Sequence, residues 1–241
     1  MSSLEININQ LNCRVECSLF KYWTMLDEIN NFSSHFESGK IYALVGKGWN
    51  GGWALSYFLT GRSEENERCY DSVYVNGEKA NSLLFRKIAC YIGEGVSEHP
   101  FQSIKRYRNK FTRKLFGIKT VAEQIQQGIL FSNNRYSYED VAAMFELTGV
   151  YEHDERNGRV HRPLAYQGNE IWRASMAIGF AYGKKVYAAP LMMPNKDWLN
   201  YIIGDYNRRY IELLRSHNSI IIIPVHNDQQ VKNWADEIIY L

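Results

Sequence analysis

Apolar residues recur along the chain in two rhythms. From Leu4 to Val45, strand-like runs fall around Val15 to Tyr22 and over Ile41 to Val45. The second run enters a glycine cluster, Gly46-Lys47-Gly48-Trp49-Asn50-Gly51-Gly52. Trp53 to Leu59 follows without a breaker and predicts a helix that stops at Gly61. Ser72 to Glu78 predicts a short strand meeting an Asn-Gly turn, and Lys87 to Ile92 another strand. From Ser97 to about Gly149 the spacing turns helical; Tyr138 to Phe145 opens with acids and sets apolar residues at helical intervals. Trp172 to Tyr182 predicts a helix, Lys184 to Ala189 a strand, and Trp198 to Arg215 a helix. Ile220 to Val225 predicts a buried strand, Asp228 to Ala235 a short helix, and Glu237 to Leu241 a terminal strand. This order fits an α/β fold in one domain over 1–241, with a helical subdomain inserted at about 97–175.

Composition narrows the classes. Of 241 residues, 45 % are hydrophobic and 22 % charged, so a disordered tail or a collagen-like rod is excluded. A net charge of +2 does not by itself imply a nucleic-acid partner. No run approaches the roughly 20 apolar residues of a membrane-spanning helix, and MSSLEININQ lacks a basic-then-apolar signal pattern. Cys13 and Cys17 have no second Cys or His pair close by to complete a zinc site. Free, mostly buried thiols in a reducing cytosol are the expectation for the four cysteines.

The glycine cluster is the first candidate for chemistry. A phosphate-binding loop reads G-x-x-x-x-G-K-[ST] between a strand and a helix, so that backbone N–H groups wrap the phosphate. Gly46 and Gly51 fall on its glycines, with Gly48 between them. Gly52 stands where the Lys belongs, and Trp53 where the Mg²⁺-binding hydroxyl belongs.

Taken with its flanks, the chain resembles the nucleotide-binding domains of ABC transporters along nearly its whole length. SGKIYALVG resembles the entry to their phosphate loop. VYVNGEKANSLLFRKIACYIGEG resembles the stretch leading to the Q-loop, with Glu94 at the glutamine position. RPLAYQGNEIWRASMAIGFAYGKKVYAAPLMMPNKDW resembles the signature helix, Walker B strand and D-loop. SIIIIPVHNDQQVKNWADEIIYL places His226 on the switch histidine. Tyr166 precedes Pro190 by 24 positions, and Pro190 precedes His226 by 36, close to the family's spacing. The resemblance implies a P-loop NTPase-like core, an antiparallel β subdomain and the helical insertion. It also places Phe20 and Tyr22 roughly where the family stacks adenine.

The departures from the family pattern shape the expected function. The Walker B Asp and the catalytic Glu positions carry Pro190 and Leu191. In the signature, Gln167 replaces a Ser, Gly168 is kept, Asn169 replaces a Gly, and Glu170 fits. The D-loop Asp survives as Asp197 and the signature-helix Arg as Arg173. Phosphoryl transfer rests on positioning and on stabilising phosphate charge. A missing Lys alone removes a contact worth roughly 1.5–3 kcal/mol. With the hydroxyl, Asp and Glu also gone, a deficit of about 5 kcal/mol would weaken binding several-thousand-fold. Pro and Leu offer no side-chain oxygen to a metal. The expectation is no competent hydrolysis at this chain's own site, no metal, and ATP at most as a weak ligand.

The resemblance implies a degenerate ABC subunit that pairs with an active ATPase subunit as a heterodimer and docks on a transmembrane subunit. It would sit in the cytoplasm, at the inner face of the membrane. It would lend its altered signature to the partner's ATP. Two alternatives stay open: a soluble regulatory protein using the fold as a scaffold, and an ATPase with residual activity. Lys105 to Lys119 holds seven basic residues interleaved with aromatics. A solvated helix face, a membrane-side contact and, as the weakest reading, nucleic acid all fit it.

Overall fold

A computed structural model describes residues 3–19, 23–46, 50–96, 110–147, 160–164, 170–190, 204 and 207–241. Two sheets form its frame. Strands β1 (Glu5–Leu19) and β2 (Trp23–Glu37) make a long antiparallel pair. With β4 (Val73–Val75) and β5 (Glu78–Lys79) they form a sheet of order β2-β1-β4-β5. The second sheet is parallel, of order β6-β7-β8-β3-β9. Its strands are β3 (Ile41–Val45), β6 (Ala89–Tyr91), β7 (Val186–Ala188), β8 (Ile220–Val225) and β9 (Glu237–Tyr240). β3, β7 and β8 are buried throughout, as strands covered on both faces must be.

β1 shows why its sequence makes a strand. Ile6, Ile8, Cys13, Val15 and Cys17 are buried, while the residues between them face outward. Gln10, at φ 53, marks a bulge that lets Leu11 join the inward set. Among the cysteines, Cys13, Cys17 and Cys90 are buried and Cys69 is half-buried.

Helix α1 (Gly52–Phe58) lies between the sheets, against β1 and β2 on one side and β8 on the other. It is buried almost all round, at Gly52, Trp53, Ala54, Leu55, Ser56 and Phe58. Its stop at Gly61 is as predicted, with φ +72. Helices α3 (Lys110–Leu115), α4 (Val121–Ser132) and α5 (Tyr138–Met144) occupy the middle of the chain. Thr120 and Ser137 open α4 and α5 with reciprocal capping boxes to Glu123 and Asp140. α6 (Ile171–Ala181) packs on β6 and α4, and α7 (Arg208–Ser216) on β8.

The predicted α/β class, with its antiparallel sheet, matches this architecture, and several boundaries agree to within a residue. Four expectations need correction. β2 occupies a stretch in which no strand was expected. A helix, α2 (Ser82–Ile88), precedes β6. Asn81 caps it by accepting from Leu84 N at 2.7 Å, and Lys184 Nζ binds the carbonyls of Arg86 and Lys87 at its other end. β6 is thereby cut to three residues. The helix expected over Asp228 to Ala235 shrinks to one 3₁₀ turn, Asp228–Gln230. Turns continue beyond it, with Lys232 N on Asp228 O and Ala235 N on Val231 O (both 2.9 Å), before Asp236 N donates to Ile41 O (2.8 Å) at the entry to β9. The helix expected from Trp198 is described only as α7, because 198–203, 205 and 206 lie outside the described residues, as do 97–109 and 148–150 of the helical middle.

A side chain at Gly61 would place its Cβ 2.4 Å from Ser82 O and 2.8 Å from Arg86 N, in a left-handed conformation that L residues resist. Gly61→Ala is expected to destabilise the protein by about 3 kcal/mol, read as a fall of roughly 6–12 °C in Tm.

Candidate functional site

The C-terminal ends of four parallel strands gather most of the described candidate residues on one edge of the sheet, where open α/β sheets bind ligands. Gly46 ends β3, and its N–H donates to Val225 O at 3.0 Å, next to His226 at the end of β8. Ala189 N donates to Ile222 O at 2.9 Å, and Pro190, buried, comes next after β7. Ile92 N donates to Ala188 O at 2.9 Å, and Glu94 follows three residues beyond β6. His226 is half-buried. Glu170 stands directly before α6 and Arg173 on its first turn, both half-buried. Gly48, Gln167, Gly168, Asn169, Leu191 and Asp197 lie outside the described residues, as do Phe20 and Tyr22.

The start of α1 is the geometric centre of the candidate loop. Gly51 has φ +87, which glycine adopts without strain. Gly52 is packed closely: a Cβ there would sit 3.2 Å from Pro224 Cβ and 3.3 Å from Leu241 Cδ1. A lysine in this position would start from a crowded spot. Trp53 is 5 % exposed and turns its indole into the core, where Nε1 donates to Tyr91 Oη at 2.6 Å. Trp53 therefore packs inward.

The residue that organises this turn comes from the other sheet. Asp27, on β2, is fully buried. Its Oδ1 accepts from Gly51 N at 2.9 Å and from its own neighbour Glu28 N at 3.1 Å. Its Oδ2 accepts from Trp53 N at 3.1 Å and Ala54 N at 2.9 Å. The first N–H groups of a helix have no partner inside it. α1 has no local remedy, since Gly51 has no capping side chain and its first turn holds no acid. A carboxylate 24 to 27 residues upstream fills the role. Hydrogen bonds to a charged acceptor are worth about 1.5–3 kcal/mol each.

A second buried polar chain runs from the other side of Trp53. Arg62 Nη1 meets Glu94 Oε2 at 2.6 Å, with side-chain exposures of only 16 % and 9 %. The same guanidinium lies 5.0 Å from the centroid of the Tyr91 ring. Burial holds the Tyr91 hydroxyl well above its usual pKa, and the nearby Glu94 charge pushes the same way. Tyr91 therefore stays a neutral acceptor for the Trp53 indole. Ser175 Oγ accepts from Gly93 N at 2.8 Å and pins the turn that carries Glu94 to α6. Glu94 is thus engaged by an arginine that follows α1.

Chemically, the described turn offers backbone N–H groups, two glycines and an inward tryptophan. Among the described residues no group of His, Cys, Asp and Glu is arranged to hold a metal ion. Sequence reasoning missed Asp27. In MLDEI the acid faces inward while Leu26, 40 % exposed, faces out, so the usual alternation is inverted.

No protein-family model and no curated protein matches the chain. Solved structures do. It is similar to an ABC transporter ATP-binding protein from Pyrococcus furiosus, at 12 % identity and a TM-score of 0.55, over 98 % of this chain and 97 % of that one. It is also similar to an ATP-binding subunit of an ABC transporter at 13 % identity and a TM-score of 0.58, over 98 % and 85 %. The chain therefore has the fold of ABC transporter ATP-binding domains. Among the described residues, no helix is long and apolar enough to cross a membrane.

Removing one member of a buried ion pair leaves the other uncompensated, at a cost of about 3–5 kcal/mol, whereas replacing both is far milder. Arg62→Met and Glu94→Gln are each expected to lower stability strongly. The double variant is expected to lose less than the sum of the two, by at least ~1 kcal/mol in a denaturation cycle.

Proposed function

We propose that the chain is a catalytically degenerate nucleotide-binding-domain subunit of an ABC transporter complex. It pairs with an active ATPase subunit and docks on a transmembrane subunit at the cytoplasmic face of the membrane. The observation that carries this reading is the start of α1. Gly52 and Trp53 stand where the resemblance calls for a lysine and a metal-binding hydroxyl, and the Trp53 indole is committed to Tyr91 at 2.6 Å. The end of β7 supports it, since buried Pro190 brings no oxygen to a metal. The fold shared with two ABC transporter ATP-binding proteins supports the rest. On this reading Gln167 to Glu170 face the partner's ATP, Asp197 carries closure between the subunits, and the segment of about 97–175 moves as the helical subdomain.

A second reading rests on α3. Phe111, Leu115 and Phe116 are 75 %, 70 % and 48 % exposed beside Arg113 and Lys114. A basic and apolar face of this kind suits a regulatory protein that uses the fold to bind a soluble partner.

The purified chain is expected to release no Mg²⁺-dependent phosphate from ATP above a heat-denatured control. Capture from detergent-solubilised native membranes is expected to bring down a second ATP-binding subunit with intact Walker residues and a membrane subunit. Turnover by the isolated chain at about 1 s⁻¹ or more, within the ordinary enzyme range, would overturn the degenerate reading. Capture of soluble partners alone would favour the second reading.

A further inference from the structure

We infer that Asp27 is a resident substitute for a bound phosphate: its carboxylate holds the α1 amides in place of an external anion and closes the turn to one. Four features carry this. Both carboxylate oxygens are saturated, each by two backbone N–H groups between 2.9 and 3.1 Å. The side chain is fully buried, so no solvent ion shares the amides. α1 has no capping side chain of its own and depends on an imported anion. Finally, β2 presses on the turn itself: a Cβ at Gly51 would lie 2.6 Å from Glu28 O and 3.2 Å from Ile29 Cα. The amides that would face a phosphate in a P-loop therefore face a strand of the same chain. A nucleotide could reach them only by expelling Asp27 into a dry interior with no partner, which is unfavourable.

This deepens the degenerate reading and rests on it for the identity of the turn, but the anion-for-anion exchange is testable without it. Asp27→Gly removes the carboxylate and leaves a space of its own size. The full-length variant and the wild type are melted in sodium formate, sodium phosphate and sodium chloride at matched ionic strength. The variant is expected to melt well below the wild type in chloride. It should regain about 5–10 °C in formate or phosphate at a hundredfold excess over the dissociation constant, saturably. The wild type should show only the gradual, unsaturable rise that excluded salts such as phosphate give any folded protein.

Equal responses of variant and wild type overturn the inference, as does a variant as stable as the wild type in chloride. If the variant does not fold in chloride, refolding from urea decides: recovery of native circular dichroism in formate or phosphate supports the inference, and failure in all three salts overturns it. Asp27→Asn, which keeps the shape and loses the charge, is expected to melt below the wild type. ATP turnover by the wild type would instead strike the degenerate reading, whatever the salts do.

Discussion

The structure depends on how the first amides of α1 are satisfied. That helix is enclosed between two sheets, so solvent does not reach its start, and unpaired N–H groups there would be costly. One carboxylate from β2 meets three of them. The same contacts join the antiparallel sheet to the parallel one, because Asp27 belongs to the first and α1 is the next helix after β3 of the second. A single polar cluster thus caps a helix and docks two layers.

Other buried contacts extend this arrangement. Trp53 follows the capped turn and donates its indole N–H to the Tyr91 hydroxyl at the end of β6. Arg62 lies over the Tyr91 ring and grips Glu94 just beyond it. The edge of the sheet is therefore linked from β2 through α1 to β6 by groups that satisfy one another. A site evolved to receive a charged ligand and a metal keeps donors and acceptors open for them. At the start of α1 the described donors are instead committed within the chain, three backbone amides to Asp27 and the Trp53 indole to Tyr91.

Much of this was legible in the sequence. β3, β8 and the α1 stop at Gly61 follow from unbroken apolar runs and one glycine, and the resemblance ordered the fold correctly. β2 was illegible because its inward positions include Asp27 while Leu26 points out, and EINNFSSHFE is largely polar. α2 was hidden by its brevity; its Asn81 cap was the one readable signal. Gly52 and Trp53 were recognisable as departures from the family pattern. Only the fold showed that Asp27 holds the amides of this turn, since it is remote from the turn in sequence and meets it through sheet packing.

The most direct test of this account is hydrogen exchange at the amides of Gly51, Trp53 and Ala54 in the wild-type chain, with and without millimolar Mg-ATP. Held by a buried carboxylate, they should exchange only through large-scale opening. They should be as slow as the β3 core in the absence of nucleotide and unchanged by adding it. Fast exchange without nucleotide, followed by strong protection on adding Mg-ATP, would show that the amides await a phosphate and would contradict the account.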